Sequence, residues 1–394
     1  MHIFNFTEDY LKEHKSYFTA HEIIQQPRLW NEVFSSLQDS RQNVQEFLDR
    51  IIERYHGIRV IFTGAGTSAF VGETLAPIVR KFSTRTGLSF EAIPTTDIVS
   101  DPLSYLVKEQ PTLIISFARS GNSPESVAAV ELARKVIDDC YFITITCNSS
   151  GLLAKKAAND RNHLLLKMPD ESNDKGFAMT SSFTCMLYAS YLIFVPTVLD
   201  NESFHLNLLQ TAQKFFKTCE KKITEVENYH FNRIIYLGSS ALGKLTREAA
   251  LKCLELNSGR MDTYYDSSMG FRHGPKSLQT NDTLIILFGS SEDYTKAYDR
   301  DMAKEIADEP LSSKLVILCA DDEMQRYPFA DQLVPFSCET GYLDNDLFRS
   351  MIYILFAQMF ALHHSLLSGI TPDNPSPDGK VNRVVKGVKI HPFN

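Results

Sequence analysis

The sequence predicts an α/β protein in which two doubly wound, flavodoxin-like, mostly parallel sheets follow one another in tandem. Three observations support this fold class. Short apolar runs typical of buried strands alternate with longer helical segments along most of the chain. The pattern of residues 59–66 returns at 233–240, and that of 112–120 returns at 283–291. The offset stays at about 170 residues, which indicates a duplicated domain.

The expected domain boundaries follow this repeat. Residues 1–55 are predicted to form an N-terminal helical segment, 56–200 the first α/β domain, 201–370 the second and 371–394 a C-terminal tail. The N-terminal helices are expected at 6–15, 27–37 and 42–54. The strands of the first domain are expected at 59–63, 89–93, 112–117, 141–146 and 163–166, with helices at 69–82, 125–136 and 180–194. The expected linking helix is 202–226, and the remaining repeated segments are 315–319 and 347–367.

Composition and charge exclude several classes of function. The chain has 394 residues, 43% of them hydrophobic, and a net charge of −8. An acidic chain disfavours general binding to nucleic acid or to membrane surfaces. The apolar runs 183–199 and 351–367 are short for membrane spans and are predicted to be buried helices.

The cysteines and the N-terminus indicate a reducing environment. Seven cysteines are scattered without a C-x-x-C pair, which argues against zinc and against a disulfide framework. The first residues show no basic-then-apolar signal pattern. We therefore expect a cytoplasmic protein that needs neither a metal nor another cofactor.

The stretch after the strand at 112–117 has the composition of an anion site. Arg119, Ser120 and Gly121 follow the strand, and Ser123 precedes Pro124 at the expected start of a helix. Ser suits the N-cap and Pro the first helical position. Backbone N–H groups at a helix N-terminus, hydroxyl donors and an arginine together favour a phosphate. An ordinary strand-to-helix turn is the simpler alternative.

The second copy of this loop differs in charge. It reads G-S-S-E-D-Y, and Glu292 with Asp293 would repel an anion. The sequence therefore predicts one phosphate site per chain, in the first half.

The glycine turn at 64–69 allows two interpretations. It fits G-x-G-x-x-A between a strand and a helix, the dinucleotide-binding pattern, with Glu91 as a possible ribose ligand. Thr67 and Ser68 favour the other interpretation. Two hydroxyl-rich turns at the carboxyl ends of neighbouring strands converge on one crevice and suit a single phosphate monoester.

These turns together resemble the sugar-isomerase (SIS) domain, here in tandem. The similarity is to the isomerase half of glucosamine-6-phosphate synthase and, more closely, to the AgaS-type galactosamine/tagatose-6-phosphate isomerases and deaminases. The resemblance implies phosphate contacts from Ser68, Arg119, Ser120 and Ser123, although Arg119 stands where the family pattern has glutamine. It further implies substrate contacts from Gly66, Thr67, Ser116, Ala178 and Thr180.

The second half supplies the residues expected to do chemistry. Glu248, Lys252 and Glu255 are spaced by four and three, so they share one helix face, which could also be a solvated ion pair. The resemblance implies that Glu255 is the catalytic base, supported by Lys252. It also implies that His273, in F-R-H-G-P, opens the sugar ring, and that Lys386 in the tail contacts the carbonyl end of the sugar.

The resemblance implies an enzyme without a cofactor that acts on a phosphorylated sugar, as a homodimer in which His273 reaches the partner's site. We expect a galactosamine-6-phosphate deaminase/isomerase that gives tagatose 6-phosphate and ammonia. A plain tagatose-6-phosphate ketose/aldose isomerase and a non-catalytic sugar-phosphate sensor stay open. An oxidoreductase would depend on the glycine turn alone.

Overall fold

Two five-stranded parallel sheets form the framework of the protein. The computed structural model describes residues 2–158, 160–338, 341, 345–383, 385 and 387–393. The chain divides into two compact units, each containing one sheet. The first-sheet unit comprises Arg28–Asp174, Met179–Glu202 and Gly379–Asn394, and the second-sheet unit comprises Met1–Pro27, Lys175–Ala178 and Ser203–Asp378. Both units are discontinuous in sequence, so they do not correspond directly to the continuous domains 1–55, 56–200, 201–370 and 371–394. Those domain boundaries stay a prediction.

The N-terminal segment is helical after a short hairpin. Its elements are β1 (His2–Ile3), β2 (Phe6–Thr7), α1 (Glu8–Glu13), α2 (Tyr17–Ile24) and α3 (Gln26–Ile52). The helix expected from residue 6 begins at Glu8, because Thr7 caps it and accepts a hydrogen bond from the Tyr10 N–H at 3.2 Å.

The two helices expected at 27–37 and 42–54 are one helix, α3. Pro27 lies in its first turn, where the missing N–H costs no hydrogen bond. Leu37 and Val44 are both buried, so the apolar face continues across the polar residues that suggested a break.

The first sheet has the strand order β4-β3-β5-β6-β7, with all strands parallel. Its strands and the helices around them are β3 (Ile58–Thr63), α4 (Thr67–Phe82), β4 (Leu88–Ala92), α5 (Thr95–Ser100), α6 (Pro102–Tyr105), β5 (Thr112–Ala118), α7 (Pro124–Val136), β6 (Cys140–Thr146), α8 (Leu152–Ala157), β7 (His163–Lys167), α9 (Ser181–Phe194) and α10 (Thr197–Asp200).

The second sheet has the order β9-β8-β10-β11-β12, again all parallel. Its elements are α11 (Glu202–Glu227), β8 (Arg233–Gly238), α12 (Ser240–Leu256), β9 (Asp262–Ser267), α13 (Ser268–Phe271), β10 (Thr283–Phe288), α14 (Asp293–Asp308), β11 (Lys314–Ala320), β12 (Gln332–Phe336) and α15 (Asp346–Leu367). Counted along the chain, both sheets have the order 2-1-3-4-5 of flavodoxin-like folds. The predicted tandem of doubly wound sheets is confirmed.

Sequence analysis predicted no strand at β9 or β12. These strands lie at the two edges of the second sheet, and β9 reads D-T-Y-Y-D-S. An edge strand has one open side and needs fewer apolar residues than a central strand, so its sequence resembles a loop.

Helix α15 is long and apolar enough to cross a membrane by length and composition alone. The most apolar window of this helix is 89% buried inside the protein. The prediction that 351–367 belongs to a core helix agrees with this burial.

A buried ion pair connects α15 to the loop after β11. Arg349 is fully buried, and its two terminal nitrogens each donate to a different Glu323 oxygen at 2.8 Å. Lys296 adds a second cation 2.5 Å from Glu323. Burial by itself would raise the pKa of Glu323, but Arg349 and Lys296 hold that pKa below its ordinary value.

We expect Glu323→Ala to destabilise the protein by about 3–5 kcal/mol, because it leaves the buried Arg349 without its carboxylate. The matched control is Lys304→Ala, which breaks the exposed pair with Asp308 and should cost less than about 1 kcal/mol. Urea unfolding of both variants measures the difference. Equal unfolding midpoints for the two variants would contradict the structural role given to Glu323.

Candidate active site

The two predicted phosphate turns meet at the switch point of the first sheet. Strands β3 and β5 are neighbours, with Thr63 paired to Ser116. The chain leaves these strands through the turn at 64–68 and the loop at 119–123. In doubly wound folds the crevice at such a switch point binds ligands. The first-sheet unit therefore brings together Gly66, Thr67, Ser68, Ser116, Arg119, Ser120 and Ser123.

The glycine turn has a geometry that requires glycine twice. A Cβ on Gly64 would lie 2.6 Å from the carbonyl carbon of Ser68. Gly66 has φ +56° and caps α4. Thr67 and Ser68 begin that helix and are 4% and 6% exposed. The first N–H groups of α4 and two hydroxyls thus gather at a helix N-terminus, where an anion is stabilised.

The second loop is held by its neighbour after β6. The Asn148 side chain donates to the Ser120 carbonyl at 2.8 Å, and the Leu153 N–H donates to the Gly121 carbonyl at 3.0 Å. Gly121 has φ +65°. Ser123 is the N-cap of α7, but its hydroxyl makes no capping bond to that helix. A rigid loop with a hydroxyl not committed to its own helix is preorganised to bind a ligand.

Arg119 connects this loop to the C-terminal tail. Its side chain is 7% exposed, and Nη2 donates to the carbonyl oxygen of Arg383 at 2.6 Å. Arg383 in turn donates to the carbonyl oxygen of Asp174. The sequence offered no signal for Arg383. Lys386, the predicted tail contact, lies outside the described residues, so its role stays a prediction.

A buried aspartate that sequence analysis missed organises the start of α9. Asp174 is fully buried and accepts from the N–H groups of Thr180, Ser181 and Ser182 at 2.9–3.0 Å. The hydroxyls of Thr180 and Ser182 donate to the same carboxylate, at 3.0 and 2.5 Å. One sequence feature could have indicated this role of Asp174. The run T-S-S begins an apolar helix six residues after the aspartate. The N–H and the hydroxyl of Thr180, which was predicted to contact the substrate, therefore both donate to Asp174 at the start of α9.

Three predicted residues of the second half form one ion cluster on α12. The Lys252 Nζ lies 3.2 Å from Glu248 Oε1 and 2.6 Å from Glu255 Oε2. The side chains of Glu248 and Lys252 are fully buried, whereas that of Glu255 is 24% exposed. The face of α12 that carries Glu248 and Lys252 is therefore buried. The alternative interpretation, a solvated ion pair at the surface, is wrong. Glu255 is the member of the cluster that solvent reaches.

The charge of Lys252 depends on its two carboxylates. Burial would lower the pKa of this amine, but Glu248 and Glu255 together hold the pKa above its ordinary value. Lys252 is therefore a cation at neutral pH, so it supports a carboxylate and does not accept protons.

His273 lies on an exposed turn of the second-sheet unit. Its backbone N–H donates to the Gly270 carbonyl at 2.9 Å, and the following Gly274 has φ +121°. Arg272 and Lys276, on either side, both bind Glu305 at 2.7 Å. These ion pairs fix the turn and leave the imidazole at the surface.

The predicted site residues thus form two groups, each within its own unit. The phosphate turns and Thr180 belong to the first-sheet unit, whereas Ala178, Lys252, Glu255 and His273 belong to the second-sheet unit. Ala178, a predicted substrate contact, is only 1% exposed, so its side chain is buried.

Comparison with known proteins shows the family. The SIS domain model matches residues 55–196. D-galactosamine-6-phosphate deaminase AgaS of Escherichia coli is 41% identical over 377 residues, which are 95% of this chain and 96% of that protein. This chain belongs to the AgaS family of SIS-domain proteins.

Two further similar proteins align with nearly the whole chain. The D-galactosamine-6-phosphate deaminase AgaS of a Shewanella species is 39% identical over 97% of this chain and 94% of that protein. The crystal structure of tagatose-6-phosphate ketose/aldose isomerase from Escherichia coli superposes with a TM-score of 0.86 at 38% identity, over 95% of this chain and 96% of that one. The recognition of a tandem SIS protein of AgaS type is confirmed.

Lys252→Met should destabilise this AgaS-family protein by about 3 kcal/mol or more, because two carboxylates lose the cation between them. Adding Glu248→Gln should recover part of that loss, since the double variant no longer buries an uncompensated charge. Lys244→Met, at an exposed position of the same helix, is the matched control and should change stability little. Thermal unfolding of the wild type, Lys252→Met, Glu248→Gln and the double variant gives the coupling energy. Additive effects of the two substitutions would contradict the cluster.

Proposed function

We propose that this chain is a galactosamine-6-phosphate deaminase/isomerase that produces tagatose 6-phosphate and ammonia. The observation that carries the proposal is the carboxylate of Glu255, partly exposed and held against the buried cation Lys252. A solvent-reached carboxylate beside a fixed charge suits a base that moves a proton between adjacent carbons. The AgaS relatives are D-galactosamine-6-phosphate deaminases, which supplies the substrate class.

The proposed chemistry begins with recognition of the phosphate. Ser68, Ser120 and Ser123 donate hydroxyl hydrogen bonds, and Arg119 adds positive charge. The α4 and α7 N-termini add backbone N–H donors. His273 opens the sugar ring, since an imidazole can both donate and accept a proton near neutral pH.

Glu255 then removes the proton from C2 of the open-chain amino sugar and returns it to C1. The intermediate is an enolamine, and proton return at C1 leaves an imine at C2. Water adds to the imine carbon, the C–N bond breaks, and the products are the ketose phosphate and ammonia. Lys252 and Lys386 stabilise the negative charge that develops on oxygen during proton transfer.

A plain aldose–ketose isomerase is the second candidate. The similarity to tagatose-6-phosphate ketose/aldose isomerase from Escherichia coli favours it. The same proton transfer on a neutral sugar would stop at the ketose. A pure phosphosugar sensor has less support, because sensing needs the phosphate turns but not the buried Glu248–Lys252–Glu255 cluster.

We further propose a cytoplasmic protein that works as a homodimer, in which His273 serves the partner's site. The seven free cysteines support a reducing compartment. The dimer is supported by the exposed surface of α12, β9 and α13. There Leu254, Tyr265 and Met269 are 44%, 40% and 39% exposed, beside the open edge of β9.

Incubation with galactosamine 6-phosphate should release ammonia and ketose phosphate in equal amounts, and glucosamine 6-phosphate run alongside tests the stereochemistry at C4. Glu255→Gln should lower turnover at least about 100-fold, because the amide cannot take the proton. Glu292→Gln makes the same chemical change at an exposed carboxylate and should retain activity. Ketose formed only from the neutral sugar would replace deamination by plain isomerisation, and an active Glu255→Gln would overturn the base assignment.

Light scattering should find a dimer, and Tyr265→Lys should shift it toward monomer because a charge at this surface opposes burial. Tyr294→Lys, at a residue that is 72% exposed, is the control and should leave the mass unchanged. Activity should fall together with the dimer fraction. A fully active monomer would overturn the shared-site proposal.

A further inference from the structure

The second sheet repeats the backbone of the phosphate crevice. Strands β8 and β10 are neighbours, as β3 and β5 are in the first sheet. A Cβ on Gly238 would lie 2.9 Å from the backbone carbon of Leu242, which matches the close approach at Gly64. Ser240 has φ +52°, in the region that Gly66 occupies with φ +56°. A positive φ is uncommon for serine, so the turn after β8 holds Ser240 in a backbone conformation that favours glycine.

A side chain of the protein lies at this second crevice. The carboxylate of Asp299, on α14, is fully buried. Its Oδ1 accepts from the hydroxyls of Ser239 at 2.5 Å and Ser268 at 2.6 Å. Its Oδ2 accepts from the Ser290 N–H at 3.1 Å and the Ser290 hydroxyl at 2.6 Å.

The four donors come from the carboxyl ends of three adjacent strands. Ser239 follows β8, Ser268 follows β9, and Ser290 comes two residues after β10. Hydroxyl and N–H donors converging from such strand ends are the donor set that the first sheet is expected to present to a phosphate. In the second-sheet unit that donor set surrounds a negative charge built into the chain.

The first-sheet unit has no acid at the corresponding turn of its helix. Where α14 carries Asp299, the equivalent helix α7 carries the short apolar sequence Ala128-Ala129-Val130. The two crevices therefore lie at the same point of the same strand order. In the part of the chain that the structure describes, only the second one contains a carboxylate of the chain itself, that of Asp299.

The physical reason for a single phosphate site thus differs from the one expected from sequence. Glu292 is exposed and the Asp293 side chain is 83% exposed, so both can remain hydrated. The donors of the second loop are instead bound to carboxylates of the chain. Ser290 binds the buried Asp299, and Ser291 binds the partly buried Asp346 through its N–H at 3.2 Å and its hydroxyl at 2.7 Å.

We propose that Asp299 is an internal anion that fills a second, latent oxyanion site. The site takes a small tetrahedral oxyanion such as inorganic phosphate once the carboxylate is removed. Removing the carboxylate leaves three serine hydroxyls and one N–H without their acceptor in a space that a carboxylate occupied. Buried donors without a partner are costly, so an anion that enters and accepts from them stabilises the fold.

The test is Asp299→Ala, with inorganic phosphate as the probe. The variant should unfold at lower temperature than the wild type, and phosphate should raise its midpoint by about 3 °C more than it raises the wild type. Equilibrium dialysis should find one more phosphate bound per chain in the variant than in the wild type. The difference in bound phosphate between the variant and the wild type does not depend on how many phosphates the wild type binds. The result therefore tests the Asp299 site independently of the proposed enzymatic function.

The matched control is Met302→Ala on the same helix. Met302 is fully buried, and its truncation opens an apolar cavity without donors, which phosphate should not rescue. Adding Ser290→Ala to Asp299→Ala should weaken the rescue, since it removes one donor. If Asp299→Ala does not fold alone, refolding from urea with and without phosphate gives the same comparison. Equal responses of wild type, Asp299→Ala and Met302→Ala to phosphate would overturn the proposal.

Discussion

The structure depends on satisfying hydrogen-bond donors where parallel strands turn into helices. Each sheet ends its central strands in tight turns whose N–H groups and hydroxyls point toward one crevice, and buried donors must find acceptors. In the second-sheet unit the acceptor is Asp299, and at the start of α9 it is Asp174. At the first sheet's switch point the corresponding turn of α7, residues 128–130, carries no acid, and an anionic ligand is the acceptor that we propose there.

Buried charges serve a second purpose in the second-sheet unit. Arg349 with Glu323, and Lys252 with Glu248, each place ions where water is excluded, while Glu255 binds the same lysine from a partly exposed position. Such pairs add little net stability compared with apolar packing, but breaking one is expensive, so they hold side chains in single positions. For Glu255 this matters to its proposed role, because a base must lie within hydrogen-bond reach of the proton it takes.

Duplication has preserved backbone and changed chemistry. The strand order is the same in both halves, and Gly66 and Ser240 both have a positive φ. The side chains around that turn differ, because in the second half the serine donors bind Asp299, whereas the corresponding turn of α7 in the first half carries no acid. The first half contains the proposed phosphate site, and the second half supplies α12 and its ion cluster. The family resemblance carries the activity, since the fold by itself does not determine function.

The sequence by itself determined the tandem α/β fold, the glycine and serine turns, and the helix face shared by Glu248, Lys252 and Glu255. These follow from local periodicity, turn chemistry and an internal repeat, all of which are properties of short segments. Only the tertiary structure decided that this helix face is buried, that α3 is continuous, and that Asp174, Arg383 and Asp299 bind distant loops. A polar residue within a helical stretch is typical of a solvated surface, so its burial and its acceptor role emerge only when strands far apart in sequence come together.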